Sequence, residues 1–173
     1  MRTPVAAVGT AVFFVAAPGM VAGVVPWWLT RWRARDAAPL WVIARGLGVV
    51  LIVTGIVVLL QAFVRFVSEG RGTPAPVAPT ERLVVGGFYR YVRNPMYVAV
   101  LAVILGQALL LGQLVLLWYA LLIWVAFASF VRVYEEPTLT RQFGASYEEY
   151  RRAVPAWIPR PRPWEPVDRH DEG

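Results

Sequence analysis

Long uncharged stretches separated by short charged clusters dominate the pattern of this chain. The longest stretch, residues 94–131, contains 38 residues without a charged side chain. As a single helix it would measure about 57 Å at about 1.5 Å per residue, whereas one membrane crossing needs only about 20 residues. We therefore predict that it crosses a membrane, turns at Gly112-Gln113 and returns, which brings the charged clusters at its two ends to the same face.

Two more uncharged stretches precede this hairpin. Residues 3–30 predict a first crossing near 5–28, with Trp27-Trp28 as an interfacial anchor, and residues 46–64 predict a second crossing near 41–66. Glycines and prolines between 68 and 82 predict a loop. The pattern indicates an all-α integral membrane protein with about four transmembrane helices. We treat residues 1–173 as a single membrane domain with two N-terminal helices (1–67), a motif region that contains the hairpin (68–160) and a polar tail (161–173).

After the hairpin, the pattern predicts a C-terminal amphipathic helix near residues 138–153. Five apolar or aromatic side chains, spaced three or four residues apart, fall on one helical face: Leu139, Phe143, Tyr147, Tyr150 and Val154. The prolines that follow exclude a longer helix. We expect this helix to lie at the cytoplasmic surface, with Trp157 and Trp164 as interfacial anchors.

The distribution of arginine predicts the orientation. With four crossings, 13 arginines fall on the side that holds the N-terminus, the 68–93 loop and the tail, and 4 fall on the other side. The positive-inside rule makes the first side cytoplasmic. We therefore expect a multi-pass protein of the cell inner membrane whose site faces the cytoplasm. Arg31, Arg33 and Arg35 fit this orientation poorly, and a re-entrant first segment is the alternative.

Composition supports a membrane protein and narrows the chemistry. The chain is 58% hydrophobic with a mean hydropathy of +0.54, above the ~45–50% apolar content typical of soluble domains. It has no cysteine, and its one histidine, His170, lies in the polar tail. These counts exclude disulfides and thiolate catalysis, and we predict no metal site. The net charge of +6 comes from scattered arginines that form no dense basic face, so we expect no nucleic-acid partner.

The two polar clusters that flank the hairpin hold the candidate site residues. Asn94-Pro95 is typical of a helix cap, and a helix N-terminus also attracts a carboxylate. Arg93 beside it could bind an anion or reach lipid headgroups. Glu135-Glu136 closes the returning helix, where carboxylates oppose the helix dipole. This pair is either a solvated acidic helix end or a recognition site for a cation such as an amine or a sulfonium.

The motifs themselves resemble a known family. The pattern Gly-Phe-Tyr-Arg-Tyr-Val-Arg-Asn-Pro-Met-Tyr (87–97), followed by Glu-Glu-Pro-Thr-Leu-x3-Phe-Gly-x2-Tyr-x2-Tyr-x3-Val-Pro (135–155), resembles the isoprenylcysteine carboxyl methyltransferases. The wider group includes the phospholipid N-methyltransferases. This resemblance covers about residues 80–160. It implies an integral membrane enzyme that binds S-adenosylmethionine between the loop before the third helix and the tail.

The resemblance also implies roles for single residues. Glu135 would hold the methionine ammonium of the cofactor, and Arg93 and Glu136 are the predicted catalytic residues, Glu136 also supporting Glu135. Family members place a substrate-contacting arginine where this chain has Val131, so we assign substrate binding to the neighbouring Arg132. The cofactor pocket would be lined by Glu81, Arg82, Leu83, Val84, Tyr89, Asn94, Pro95, Met96 and Tyr97. Many members have histidine at the position of Asn94, so a role that needs imidazole is lost here.

The predicted function is methyl transfer from S-adenosylmethionine to a lipophilic small molecule that enters from the bilayer, an isoprenylcysteine-like carboxylate or a lipid. A carboxylate acceptor needs no general base, whereas an amine acceptor must lose a proton, to Glu136 or a tyrosine. Membrane lipids are the other expected partners, and the pattern predicts no oligomeric state. Two alternatives stay open: a sterol-type reductase with a nicotinamide cofactor, and a non-enzymatic membrane scaffold.

Overall fold

The computed structural model describes residues 16–35, 41–70 and 83–165. Regular structure in these ranges is helical, without a strand, so the all-α fold class is confirmed for this part of the chain. Predictions that concern residues 1–15, 36–40, 71–82 and 166–173 lie outside the described residues. These include the assignment of Glu81 and Arg82 to the cofactor pocket and most of the predicted 68–82 loop.

The predicted turn at Gly112-Gln113 is confirmed. Gly112 ends one helix in the left-handed conformation with φ 67°, which glycine adopts without strain. The helices are α1 (16–30, with a π-helical segment Met20–Val24), α2 (Trp41–Gly70), a 3-10 turn (Gly87–Arg90), α3 (Pro95–Leu111), α4 (Val115–Phe130, continued by a π-helical turn Val131–Glu135), α5 (Glu136–Phe143) and α6 (Ala145–Ala153).

Within the described ranges, two helical stretches are long and apolar enough to cross a membrane. They are Trp41–Arg65, in α2, and the continuous helix Val115–Phe143. The apolar helix Pro95–Leu111 is shorter. Outward-facing side chains on α2 include Ile43, which is 77% exposed, and Leu60, which is 60% exposed. Apolar side chains at such exposures are typical of a helix that faces lipid.

Glycines bring α2 and α3 into close backbone contact. A Cβ atom on Gly48 would lie 2.6 Å from the carbonyl oxygen of Gly106, and one on Gly55 would lie 2.8 Å from that of Ala99. Small residues at helix interfaces allow this close approach in membrane proteins. The contacts make α2 and α3 antiparallel, so the end of α2 lies beside the start of α3.

Proline and polar side chains tie α1 to the hairpin. Pro26 has no N–H group, so the carbonyl oxygen of Ala22 lacks its helical donor. The carbonyl oxygen of Val21 lacks one as well, because the Val25 amide donates to Met20 in the π-helical segment. Gln107 donates to the carbonyl oxygen of Ala22 at 2.6 Å, and the Tyr119 hydroxyl donates to that of Val21 at 2.8 Å. These bonds satisfy backbone groups that would otherwise be unpaired in an apolar environment. They also fix α1 against α3 and α4.

The tail differs from the predicted single helix at 138–153. Gly144, with φ 53° and ψ −127°, interrupts it and separates α5 from α6. The predicted apolar face is nevertheless continuous across this break. Its five members form one cluster, in which the last three are buried: Leu139, Phe143, Tyr147, Tyr150 and Val154.

Candidate active site

Arg93 joins three parts of the chain at one end of the hairpin. Its Nη1 atom donates to Glu136 Oε1 at 2.8 Å and to the Tyr147 hydroxyl at 3.2 Å, and its Nε donates to the carbonyl oxygen of Val154 at 2.9 Å. The Arg93 and Glu136 side chains are only 13% and 19% exposed. The anion that Arg93 binds in this structure is therefore the carboxylate of Glu136.

The neighbouring carboxylate, Glu135, has a different partner. The Tyr97 hydroxyl, in the first turn of α3, donates to Glu135 Oε1 at 2.5 Å. Across the residues that the structure describes, no basic side chain forms an ion pair with Glu135. The adjacent glutamates thus differ: Glu136 is neutralised by Arg93, whereas Glu135 has a hydrogen-bond donor but no cationic partner among the described residues.

A π-helical turn positions these two carboxylates. It spans Val131–Glu135 and ends two residues before Pro137, and the π-helical segment of α1 likewise ends two residues before Pro26. A proline cannot donate to the preceding turn and its ring crowds that carbonyl, so widening the helix relieves the clash. We did not predict these turns. The proline two residues ahead is the signal that could have indicated them.

Aromatic rings surround Tyr97. Its ring stacks on Phe127 with centroids 4.4 Å apart and lies 6.5 Å from Trp157, which meets Trp124 edge-on at 6.3 Å. The prediction that Trp157 is an interfacial anchor stays a prediction, and the structure adds that its ring packs against the site. Trp164 likewise packs on Tyr150, at 5.4 Å.

Residues 154–165, the tail strap, run along the segment that precedes α3. Backbone hydrogen bonds join Arg93 to Pro155, Arg160 to Tyr91 and Trp164 to Arg90, at 2.9–3.0 Å. The side chain of Arg90 adds an ion pair with Glu165 at 2.7 Å. The two segments on which the resemblance placed the cofactor are therefore in direct contact.

Asn94 does not make the expected cap hydrogen bond. It occupies the N-cap position of α3, but its side chain makes no cap bond. The Asn94 amide donates instead to the carbonyl oxygen of Ala156 in the tail strap, at 3.1 Å. The predicted helix start at Asn94-Pro95 is confirmed, whereas the side-chain cap bond expected of Asn94 is not made. The first-turn amides of α3 therefore receive no hydrogen bond from the Asn94 side chain.

The other predicted pocket residues lie around this cluster. Val84 and Tyr89 are buried together with Ala62, and Met96 packs against them. Leu83 packs instead against the buried residues of the tail, and Pro95 is buried at the start of α3. Their predicted contacts with a cofactor stay predictions.

Arg132, the predicted substrate contact, is exposed on the π-helical turn. Within the described part of the chain no hydrogen bond or ion pair joins it to the cluster, so its role also stays a prediction.

Two tyrosines of α6, Tyr147 and Tyr150, pack against the cluster and the segment before α3. Burial raises the pKa of Tyr147, against the opposing effect of Arg93, and burial raises the pKa of Tyr150. The Tyr150 hydroxyl donates to the carbonyl oxygen of Tyr89 at 2.6 Å.

Comparison with known proteins identifies the family. Residues 43–146, more than half of the chain, match the phospholipid methyltransferase family, and the chain belongs to it. A protein-S-isoprenylcysteine O-methyltransferase of Schizosaccharomyces pombe is 37% identical over 77 residues, which are 44% of this chain and 33% of that protein. The chain thus spans about a third of that relative's length. No solved structure matches significantly.

These findings confirm the resemblance and place the chain in a family of membrane methyltransferases. The matched range includes the Tyr97–Glu135 and Arg93–Glu136 pairs. Neither the reductase nor the scaffold alternative is favoured by the family match.

Proposed function

We propose that the protein transfers a methyl group from S-adenosylmethionine to a lipophilic small molecule supplied by the bilayer. The observation that carries this proposal is the pairing of Tyr97 with Glu135 and of Arg93 with Glu136 at one end of an apolar helical hairpin. The candidate acceptors are an isoprenylcysteine-like carboxylate and a membrane lipid. The relative from S. pombe supports the first, and the family supports the second.

The residues present fit the cofactor. Glu135 is a carboxylate without a basic partner in the described structure, which suits the ammonium of a bound amino acid. The α3 N-terminus, whose amides lack a side-chain cap, suits the carboxylate of the same group. When bound, S-adenosylmethionine supplies a methyl group activated by a positive sulfur.

The protein's own residues would align the two reactants and limit the access of water to them. Arg93 and Glu136 neutralise each other and hold α5, α6 and the tail strap against the start of α3. Correct alignment of two reactants contributes several kcal/mol to a displacement reaction, about 7 kcal/mol in favourable cases. The rings of Phe127 and Trp157 pack beside Tyr97, and we expect them to limit the access of water to this end of the hairpin.

Pairing with Arg93 changes what we expect of Glu136. We predicted it to be catalytic, but one of its oxygens is engaged by Arg93, so we assign it a positioning role for an anionic acceptor. An amine acceptor would instead require a proton acceptor, and Glu136 is the candidate within the cluster, because the Tyr97 hydroxyl donates its proton to Glu135. The four-crossing topology and the cytoplasmic position of the site are part of the proposal, and the arginine distribution supports them.

Incubation of the purified protein with methyl-labelled S-adenosylmethionine and a lipid extract tests the proposal. We expect label to enter a lipid-soluble product, whose mass and hydrolysis identify an ester, amine or thioether. A Glu135→Ala, Glu136→Ala double variant is expected to lose this activity, and an exposed-site control, Glu148→Gln, to keep it. Full activity in the folded double variant would contradict the assigned site.

A further inference from the structure

A basic loop lies at the opposite end of the hairpin from the candidate active site. The loop comprises residues 31–35, and its backbone is fixed against the α3–α4 turn. The Arg35 amide donates to the carbonyl oxygen of Leu111 at 3.0 Å, and the Gln113 side chain donates to that of Arg33 at 2.9 Å. Tyr97 and Leu111 are 14 residues apart in α3, which is about 21 Å at about 1.5 Å per residue. The loop is therefore remote from the Glu135 cluster.

The loop concentrates positive charge that the described structure leaves unpaired. Arg31, Arg33 and Arg35 are all exposed, and Arg45 of α2 joins them by donating to the carbonyl oxygen of Arg35 at 3.1 Å. Within the described ranges, no acidic side chain forms an ion pair with any of the four. Four arginines on or beside one short loop create a positive potential that attracts an anion, and a phosphate matches the planar donor geometry of a guanidinium group.

Arg45 supplies a second, independent observation. Its Nε atom is buried and makes no hydrogen bond within the described residues. Buried N–H groups almost always have an acceptor, so an exception of this kind needs an explanation. The Nη2 atom of the same side chain already lies at the loop, and a small shift of the guanidinium group would expose Nε to an oxygen of an anion bound there.

The surroundings of the loop favour a lipid over a soluble anion. Trp27, Trp28 and Trp32 are 41%, 64% and 58% exposed, and tryptophan concentrates at the level of lipid headgroups. The Arg31 guanidinium lies 4.7 Å above the ring of Trp27. At the start of α2, Ile43 is 77% exposed, so an apolar surface continues from the charged loop.

We propose that the 31–35 loop, together with Arg45, binds the phosphate headgroup of an anionic phospholipid. The lipid would lie in the leaflet opposite to the candidate active site. Guanidinium groups hold the phosphate oxygens, the tryptophans lie at the headgroup level and the acyl chains follow the exposed apolar face of α2. This assignment also accounts for three arginines on the side that the positive-inside rule would leave poor in positive charge.

Native mass spectrometry of the detergent-purified full chain tests the proposal by counting bound lipids. The probes are phosphatidylglycerol and phosphatidylcholine with matched acyl chains. We expect the protein to retain phosphatidylglycerol preferentially. An Arg31→Gln, Arg33→Gln, Arg35→Gln variant is expected to lose this preference, by about fivefold for each arginine that contacts the headgroup. A charge-matched control, Arg141→Gln, Arg151→Gln, Arg162→Gln, removes three exposed arginines from the tail and is expected to keep it.

Equal preference in the wild type and the loop variant would overturn the proposal, as would an equal loss in the tail variant. Displacement of the lipid by millimolar inorganic phosphate would overturn the lipid assignment in favour of a soluble anion. If the triple variant does not fold, the single Arg33→Gln variant is measured instead. This substitution keeps the backbone carbonyl group that accepts the hydrogen bond from Gln113, so the loop stays attached to the α3–α4 turn. Thermal unfolding of each variant in the same detergent establishes which one is folded.

Discussion

Removal of the Arg93–Glu136 ion pair tests how the hairpin is joined to the tail. Its N–O distance is 2.8 Å, and the side chains are 13% and 19% exposed. Exposed pairs contribute about 0–1 kcal/mol, whereas breaking a fully buried pair costs about 3–5 kcal/mol. The partial burial places Arg93→Gln between these limits, at about 2 kcal/mol. For a chain of 150–250 residues this corresponds to a fall of about 4–8 °C in Tm.

A double-mutant cycle separates the pair from its surroundings. It consists of Arg93→Gln, Glu136→Gln and the double variant, followed by thermal unfolding in detergent. Because either single substitution already breaks the pair, we expect the double variant to lose less stability than the sum of the two. Arg152 and Glu148 provide a matched control, since they are 3.7 Å apart with side chains 84% and 52% exposed. Additive losses at Arg93 and Glu136, as at the control pair, would refute the reasoning from burial.

Three further predictions concern the scaffold, and each is measured by unfolding in detergent. Gly48→Ala is expected to cost about 1–3 kcal/mol of stability because its Cβ would meet backbone atoms of α3 at 2.6–2.8 Å. The control Gly46→Ala, whose Cβ would have nothing within 4 Å, should not destabilise the protein. Equal effects of the two substitutions would contradict the described packing of α2 on α3. Gln107→Leu is expected to cost about 1–3 kcal/mol of stability because it leaves the carbonyl group of Ala22 unpaired. The cost should be smaller in a Pro26→Ala background, in which residue 26 regains a backbone N–H donor. An unchanged cost in that background would contradict this explanation. Burial raises the pKa of Tyr150 above its ordinary value of 10.0. The protonated hydroxyl therefore stabilises the fold fully below about pH 10, and this stabilisation declines at higher pH, where the unfolded chain ionises first. Tyr150→Phe should reduce the loss of stability at alkaline pH, and a pH profile identical to that of the wild type would count against the buried hydroxyl.

Features set by length and periodicity could be predicted from the sequence. The uncharged stretch 94–131 is too long for one crossing, so the turn at Gly112 and the meeting of the clusters around Arg93 and Glu135 followed from helix geometry. The apolar face from Leu139 to Val154 followed from the spacing of its members, and it persists across the break at Gly144.

Features set by tertiary contacts could not be predicted in this way. Asn94 is a typical capping residue, but the tail strap supplies a carbonyl group that takes its amide. Trp157 is of a residue type typical of interfacial anchors, and its sequence position does not show that its ring packs near that of Tyr97 at the start of α3. The π-helical turn before Pro137 depends on a local clash that hydrophobic periodicity does not record. In each case the competing partner lies on another part of the chain or in the backbone itself.

Calorimetric titration of the detergent-purified protein with S-adenosylmethionine and its demethylated product tests the central claim most directly. The titration is repeated on Glu135→Gln and on the exposed-site control Glu148→Gln. We predict micromolar binding by the wild type and the control, and binding weaker by about tenfold or more in Glu135→Gln, since a hydrogen bond to a charged group contributes about 1.5–3 kcal/mol. The absence of binding by the folded wild-type protein, or equal binding by Glu135→Gln, would contradict the account.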